Sequence, residues 1–241
     1  QSGFSVCQQN CQCQLIAANY KGENLDKPLV RGGGGGLAAK KGQFNNIAQS
    51  RKWAEKKGIQ SVVYKDLESA NVINKVLSEK DILPKNIVCD INQFAKANKM
   101  TPGELIEKGI TGWYDSHTET LYVLPNQYRR RANTLLDKKK KWFVSKSNSM
   151  EDTVKHELNH FLHHKKNPAL FKDLRHNMFY YKNREFIEMV KEQVGGYAAS
   201  DPYEFVAEVG LGLDLGKIYN NDIMDFYFQL LNETSERTLR I

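Results

Sequence analysis

Long apolar runs and cysteines are both scarce in this sequence. No apolar stretch approaches the roughly 20 residues that a membrane-spanning helix needs, so we expect no membrane span. Only four of the 241 residues are cysteine, too few for a disulfide scaffold of this length. The chain is nevertheless long enough to bury an ample hydrophobic core, which predicts one large domain, or one domain with an arm.

The N-terminal residues also lack a recognisable binding motif. A phosphate-binding loop needs Gly-Lys-Ser/Thr after its glycines, but the glycine run at 32–36 is followed by Leu-Ala-Ala. Cys7, Cys11 and Cys13 could hold a metal, although a fourth ligand is not evident. We therefore interpret residues 1–44 as a flexible arm ending in a polyglycine linker, and residues 45–241 as the ordered domain.

The net charge is +7, and a basic balance can attract nucleic acids or anionic surfaces. The excess is spread along the chain, apart from Arg129–Arg131 and the lysine run at 138–141. A solvated loop explains that lysine run more simply. Nucleic acid is therefore not expected to be the main partner.

Strand patterns come mostly before helix patterns, which predicts an α+β domain with a small mixed sheet and a mostly helical C-terminal half. Strand segments are expected at 59–64 and 86–91, and a β-hairpin at 110–124 with its turn at 115–118. Residues 126–148 have no clear pattern. The hairpin is the candidate for an edge strand that pairs with extended substrate.

The strongest motif is His156-Glu157-Leu158-Asn159-His160, which has the pattern H-E-x-x-H. On a helix, positions i and i+4 share one face, so the two imidazoles can bind one metal ion. The glutamate between them is placed to take a proton from a water molecule. Val154, Leu158 and Phe161 fall on the opposite side of this helix, as a core-facing stripe should.

A third ligand is needed, because a catalytic zinc usually has three protein ligands and one open position. A metzincin would have histidine ten residues after His156, where this chain has Lys166. His163 and His164 lie too close on the same helix, and His176 has no supporting pattern. A carboxylate from a later helix is the remaining choice.

Glu204 and Glu208 are the best carboxylate candidates, since their i, i+4 spacing puts them on one helix face. One could bind the metal while the other orients a ligand histidine. However, Asp201-Pro202-Tyr203-Glu204 also resembles a capping box, which would occupy Glu204 with the helix start and favour Glu208 as ligand. The residues alone leave the two assignments open.

The segment from Tyr197 to Glu208, YAASDPYEFVAE, resembles the active-site stretch of the catalytic domain of anthrax lethal factor and is similar to clostridial Pro-Pro endopeptidases. The likeness covers residues 149–230 and implies a zincin-like fold of the gluzincin type. It implies that Glu204 is the third zinc ligand, that Tyr197 points into the site, and that Glu208 supports a ligand. Asn159 departs from the family, because lethal factor has a small residue there.

The expectation is therefore a zinc-dependent endopeptidase that hydrolyses a protein or peptide substrate, with Glu157 as general base and Tyr197 as donor to the oxyanion. The alternative is a catalytically silent binding component of a phage or bacterial assembly, joined through the N-terminal arm. The resemblance leans weakly toward a secreted, delivered or virion-associated protein.

Overall fold

The computed structural model describes residues 42–136, 149–173, 180 and 182–232. Several features discussed above lie outside this part of the chain: the arm up to residue 41, the cysteines at 7, 11 and 13, the lysine run at 138–141, and His176.

The sheet has four short strands: β1 Ser61–Tyr64, β2 Asn86–Cys89, β3 Gly112–Asp115 and β4 Thr120–Val123. Their order is β1-β2-β4-β3, with β1, β2 and β4 parallel and β3 antiparallel to β4. The sheet is therefore mixed, and β3 of the predicted hairpin lies at its edge.

The described residues also form ten α-helices, so the domain is α+β and mostly helical. They are α1 Ile47–Lys56, α2 Leu67–Leu77, α3 Ile91–Ala97, α4 Pro102–Glu107, α5 Asn126–Leu136, α6 Met150–Lys166, α7 Pro168–Lys172, α8 Arg184–Gln193, α9 Pro202–Leu213 and α10 Asn221–Leu230. A 3₁₀ turn, Ala198–Ser200, precedes α9. No helix in this part of the chain is both long and apolar enough to cross a membrane.

One strand prediction was wrong at its C-terminal end. The strand expected at 86–91 stops at Cys89, because Asp90 accepts a hydrogen bond from the backbone N–H of Gln93 and so caps α3. Ile91 therefore begins a helix rather than ending a strand. The sequence also gave no assignment for residues 126–136, which form α5.

The two faces of the sheet are covered by different helices. Helices α1, α2 and α6 pack on one face, where Tyr114 and Leu121 point. Helices α3 and α4 pack on the other, where Trp113 stacks on Tyr122 with ring centroids 5.1 Å apart. A separate apolar cluster joins α8, α9 and α10. Helix α6 packs on both the sheet and α9, which places it at the centre of the domain.

Candidate metal centre

Helix α6 carries the H-E-x-x-H motif and begins where the sequence predicts. The Ser149 hydroxyl accepts a hydrogen bond from the backbone N–H of Asp152 at 3.1 Å, which caps the helix. Val154, Leu158 and Phe161 are buried against the sheet, as their spacing predicts. His156 and His160 lie on the other side, next to α9, and both are buried.

Helix α9 brings the carboxylates to this pair of histidines. Asp201 caps the helix through the backbone N–H of Tyr203, at 2.8 Å, and Pro202 occupies the first turn. Glu204 reaches across so that its Oε2 lies 3.1 Å from His156 Nε2 and 3.5 Å from His160 Nε2. The structure thus places Glu204, rather than Glu208, next to the Nε2 atoms of both histidines.

The three donor groups have a spacing that suits a metal ion. The Nε2 atoms of His156 and His160 are 3.1 Å apart, and both lie close to the same Glu204 oxygen. A tetrahedral centre with ligand distances of about 2.0–2.1 Å separates its donors by roughly 3.3–3.4 Å. The buried group of His156, His160 and Glu204 could therefore hold a metal ion.

Glu208 contacts the other ring nitrogen of His156. Its Oε1 lies 3.0 Å from His156 Nδ1, and both side chains are fully buried. A carboxylate at Nδ1 holds the proton on that nitrogen and leaves Nε2 as the donor to a metal. Glu204 and Glu208 therefore contact different ring nitrogens of the same imidazole, that of His156.

The carboxylates change the pKa values of the group. Burial alone lowers the pKa of His156, but hydrogen bonds with Glu204 and Glu208 outweigh burial and raise that pKa well above its usual range. Burial raises the pKa of Glu204, yet the neighbouring His160 and His156 together hold it well below the usual range. Glu204 is therefore a carboxylate at neutral pH, the form that binds metals.

Asp201 is a neighbouring carboxyl group that the sequence does not predict as a metal ligand. It is 1 % exposed, and burial together with the charge of Glu204 raises its pKa to about 7. Asp201 is close to Glu204 because it caps the buried start of α9, the helix that carries Glu204.

Glu157 lies against the first residue of the edge strand. Its side chain is fully buried between α6 and the start of β3, and Gly112 lies directly against it. The motif thus places its histidines toward α9 and its glutamate toward the edge of the sheet.

Tyr197 also lies beside the histidines. Its ring is nearly parallel to that of His156, with the centroids 6.1 Å apart and the planes inclined by 22°. The residue precedes the 3₁₀ turn, where its carbonyl accepts a hydrogen bond from the Ser200 hydroxyl at 2.6 Å. The tyrosine is 4 % exposed and forms part of the wall around the metal group.

The other histidines of α6 have separate surroundings. His163 packs against Phe171 and Tyr203, whereas His164 Nδ1 lies 2.9 Å from the hydroxyl of Tyr114 on β3. Burial lowers the pKa of His164, which favours the neutral ring. Neither belongs to the metal group, in agreement with the sequence argument against them.

Arg129 has a structural environment that its basic sequence context does not suggest. The side chain is 2 % exposed and donates from Nη2 to the Ser149 carbonyl at 3.1 Å and to the Thr153 hydroxyl at 2.7 Å. It joins α5 to the first turns of the metal helix. A buried guanidinium cannot contribute to a nucleic-acid surface, which weakens that reading of Arg129–Arg131.

Comparison with known proteins gives no relative. No family model matches the chain, and no significant match is found among curated proteins or solved structures.

Proposed function

We propose that this chain is a zinc-dependent endopeptidase. The observation that carries the proposal is the buried group of His156, His160 and Glu204, with Glu157 on the same helix as the two histidines. Two histidines and a carboxylate are a common ligand set of hydrolytic zinc sites. The motif resemblance to the lethal factor catalytic domain supports the same assignment.

Zinc is the metal that this donor set favours. Imidazole and carboxylate donors with a fourth position left for water suit Zn²⁺, whereas Ca²⁺ and Mg²⁺ prefer sites built from oxygen ligands alone. When bound, zinc supplies a Lewis acid and lowers the pKa of a coordinated water to about 7.

Three side chains of the protein carry out the remaining parts of the reaction. Glu157 takes a proton from the attacking water and later passes it to the leaving amine. Tyr197 donates a hydrogen bond to the oxygen that becomes negatively charged as the carbonyl carbon turns tetrahedral. Glu208 holds the orientation of His156 through Nδ1.

In this proposal, the outer edge of β3 pairs with extended substrate. Leu124 donates its backbone N–H to the Thr111 carbonyl, and Gly112 lies opposite Val123. In an antiparallel pair, residues alternate between those whose backbone N–H and C=O groups bond to the partner strand and those whose groups point away from it. Gly112 and Tyr114 therefore direct their N–H and C=O groups away from β4, toward the outer edge. We expect an extended peptide to pair there by adding a strand.

The proposal is tested by cleavage of a mixed peptide library, with the products identified by mass spectrometry. We expect the zinc-loaded protein to generate new termini that disappear with a chelator and return when zinc is restored. Glu157→Gln keeps the size of the side chain but removes the base. We expect this variant to bind zinc and to lose at least 100-fold in turnover. Turnover equal to wild type in Glu157→Gln would exclude the assigned base.

A further inference from the structure

Gly112, the first residue of β3, lies where the edge strand crosses the metal helix. Its φ is not positive, so its backbone conformation is one that any residue can adopt. A different reason is needed for glycine at this position. The space around its Cα provides that reason.

A side chain at position 112 would collide with the metal helix. A Cβ built on Gly112 would lie 2.5 Å from Thr153 Cγ2, 2.7 Å from Glu157 Oε1 and 2.8 Å from Glu157 Cγ. Real Cβ atoms essentially never show heavy-atom contacts under 3.0 Å. The backbone of the edge strand thus lies directly against the carboxylate of Glu157.

The neighbours have little room to move away. Thr153 is fully buried, and its hydroxyl is fixed by the hydrogen bond from Arg129. Glu157 is fully buried as well. A methyl group at position 112 therefore has to displace the Glu157 side chain or push β3 away from α6.

We propose that Gly112 is a positioning residue for Glu157, in which the bare backbone of the edge strand sets the position of the carboxylate. The inference rests on the proposed role of Glu157 as general base. Because position 112 directs its Cβ toward α6 and its N–H and C=O toward the outer edge, we expect alanine there to displace the Glu157 carboxylate more than the strand-pairing groups.

The test is Gly112→Ala, compared with Gly103→Ala as the matched control. A Cβ at position 103 meets no atom closer than Thr101 Oγ1, at 3.9 Å, and its φ is not positive. On a peptide found to be cleaved in the library, we expect Gly112→Ala to lower kcat at least tenfold with KM changed less than threefold. Zinc content should stay at the wild-type level, and Gly103→Ala should behave as wild type.

A double variant separates positioning from general strain. Thr153→Ser removes Cγ2, the closest obstacle, and keeps the hydroxyl that Arg129 binds. We expect Gly112→Ala to lower Tm, because of the clash with Thr153. Gly112→Ala/Thr153→Ser should regain most of that decrease in Tm while kcat stays low, because the contact with Glu157 remains. Full recovery of kcat in the double variant would overturn the proposal, as would wild-type kcat in Gly112→Ala.

A crystal structure of zinc-loaded Gly112→Ala tests the same inference without any substrate. We expect the Glu157 carboxylate to be displaced relative to the histidines, while His156, His160 and Glu204 keep their places. A Glu157 position identical to wild type would contradict the positioning role, even if the chain proved to have no peptidase activity. Failure of the proposed function would instead be seen as a zinc-loaded wild-type protein that cleaves nothing.

Discussion

At the scale of single residues, the site depends on which atom of each side chain is used. His156 meets Glu204 through Nε2 and Glu208 through Nδ1, at 3.1 and 3.0 Å. The two glutamates are chemically identical and lie one turn apart, yet one is placed on the metal side and the other behind the ligand. We therefore expect the two glutamates to have different roles in metal binding, because of geometry alone.

Tyr197→Phe tests the assigned oxyanion donor. The ring keeps its packing beside His156 while the hydroxyl is lost, so zinc content and Tm should match wild type. We expect kcat to fall by about 100-fold, the scale measured for the loss of one oxyanion-stabilising donor. Phenylalanine at position 197 with undiminished kcat would assign the tyrosine to packing only.

The choice between Glu204 and Glu208 could not be made from the residues. Both lie on the face of α9 that the sequence predicts, and only the packing of α9 on α6 decides which carboxylate meets the Nε2 atoms. The lethal factor likeness implies Glu204 as ligand, and in the structure Glu204 lies next to both Nε2 atoms. Gly112 could not be singled out from the sequence either, because a close approach between distant segments leaves no local pattern.

At the scale of elements, the contact between α6 and α9 determines how the ligands meet. Asn159, the residue that departs from the lethal factor motif, lies against Gly210 of α9. A Cβ on Gly210 would be 2.8 Å from both Asn159 Cγ and Oδ1, and 2.9 Å from the Tyr227 hydroxyl. The larger residue on one helix is thus accommodated by the absence of a side chain on the other.

Gly210→Ala should therefore separate the two helices. In an open helix interior this change would stabilise by about 1 kcal/mol, but here overpacking should reverse the sign and destabilise by about 1–3 kcal/mol. Zinc affinity should fall too, because α9 carries Glu204 and Glu208. Chemical denaturation and a zinc competition assay measure both effects.

The double variant Gly210→Ala/Asn159→Ala is the control for this contact. Removing the Asn159 amide makes room for the new methyl group, so part of the stability and zinc affinity should return. A Gly210→Ala protein more stable than wild type would show that the close approach does not constrain the helix pair.

The elements themselves were predictable to different degrees. Helix α6 has a cap, an apolar stripe and a proline after its end, so local signals agree. Helix α3 has seven residues, too few for a periodic pattern, so the sequence predicts only its first residue, Ile91, as the end of a strand and leaves the others unassigned. Helix α5 has few apolar residues, and its buried contact through Arg129 cannot be told from a surface arginine in sequence.

At the scale of the whole molecule, the metal group lies between two parts of the core. Helix α6 belongs to the cluster built on the sheet, and α9 to the cluster of C-terminal helices. A metal ion bound by both helices would link these clusters, so binding should stabilise the native state by mass action.

Proton release on metal binding tests the charge state of this buried group. The raised pKa of His156 means that the metal-free protein keeps a proton on the histidine at pH 7, held by Glu204 and Glu208. A metal can bind Nε2 only after the proton there is lost. Zinc affinity should therefore rise with pH until the histidine has titrated.

Calorimetry of zinc binding at pH 7, in buffers of different ionisation enthalpy, measures the protons released. We expect a net release of protons when zinc binds. Binding enthalpies that are independent of the buffer would show that zinc binding displaces no proton from His156.

The most direct test of the metal centre is the zinc content of wild type, Glu204→Ala and Glu208→Ala, measured by elemental analysis in parallel. The geometry predicts about one zinc per chain in wild type, loss of the metal in Glu204→Ala, and a retained but weaker site in Glu208→Ala. Zinc lost in Glu208→Ala and kept in Glu204→Ala would exchange the two carboxylates. A wild-type protein that takes up no zinc on reconstitution would contradict the metal centre itself.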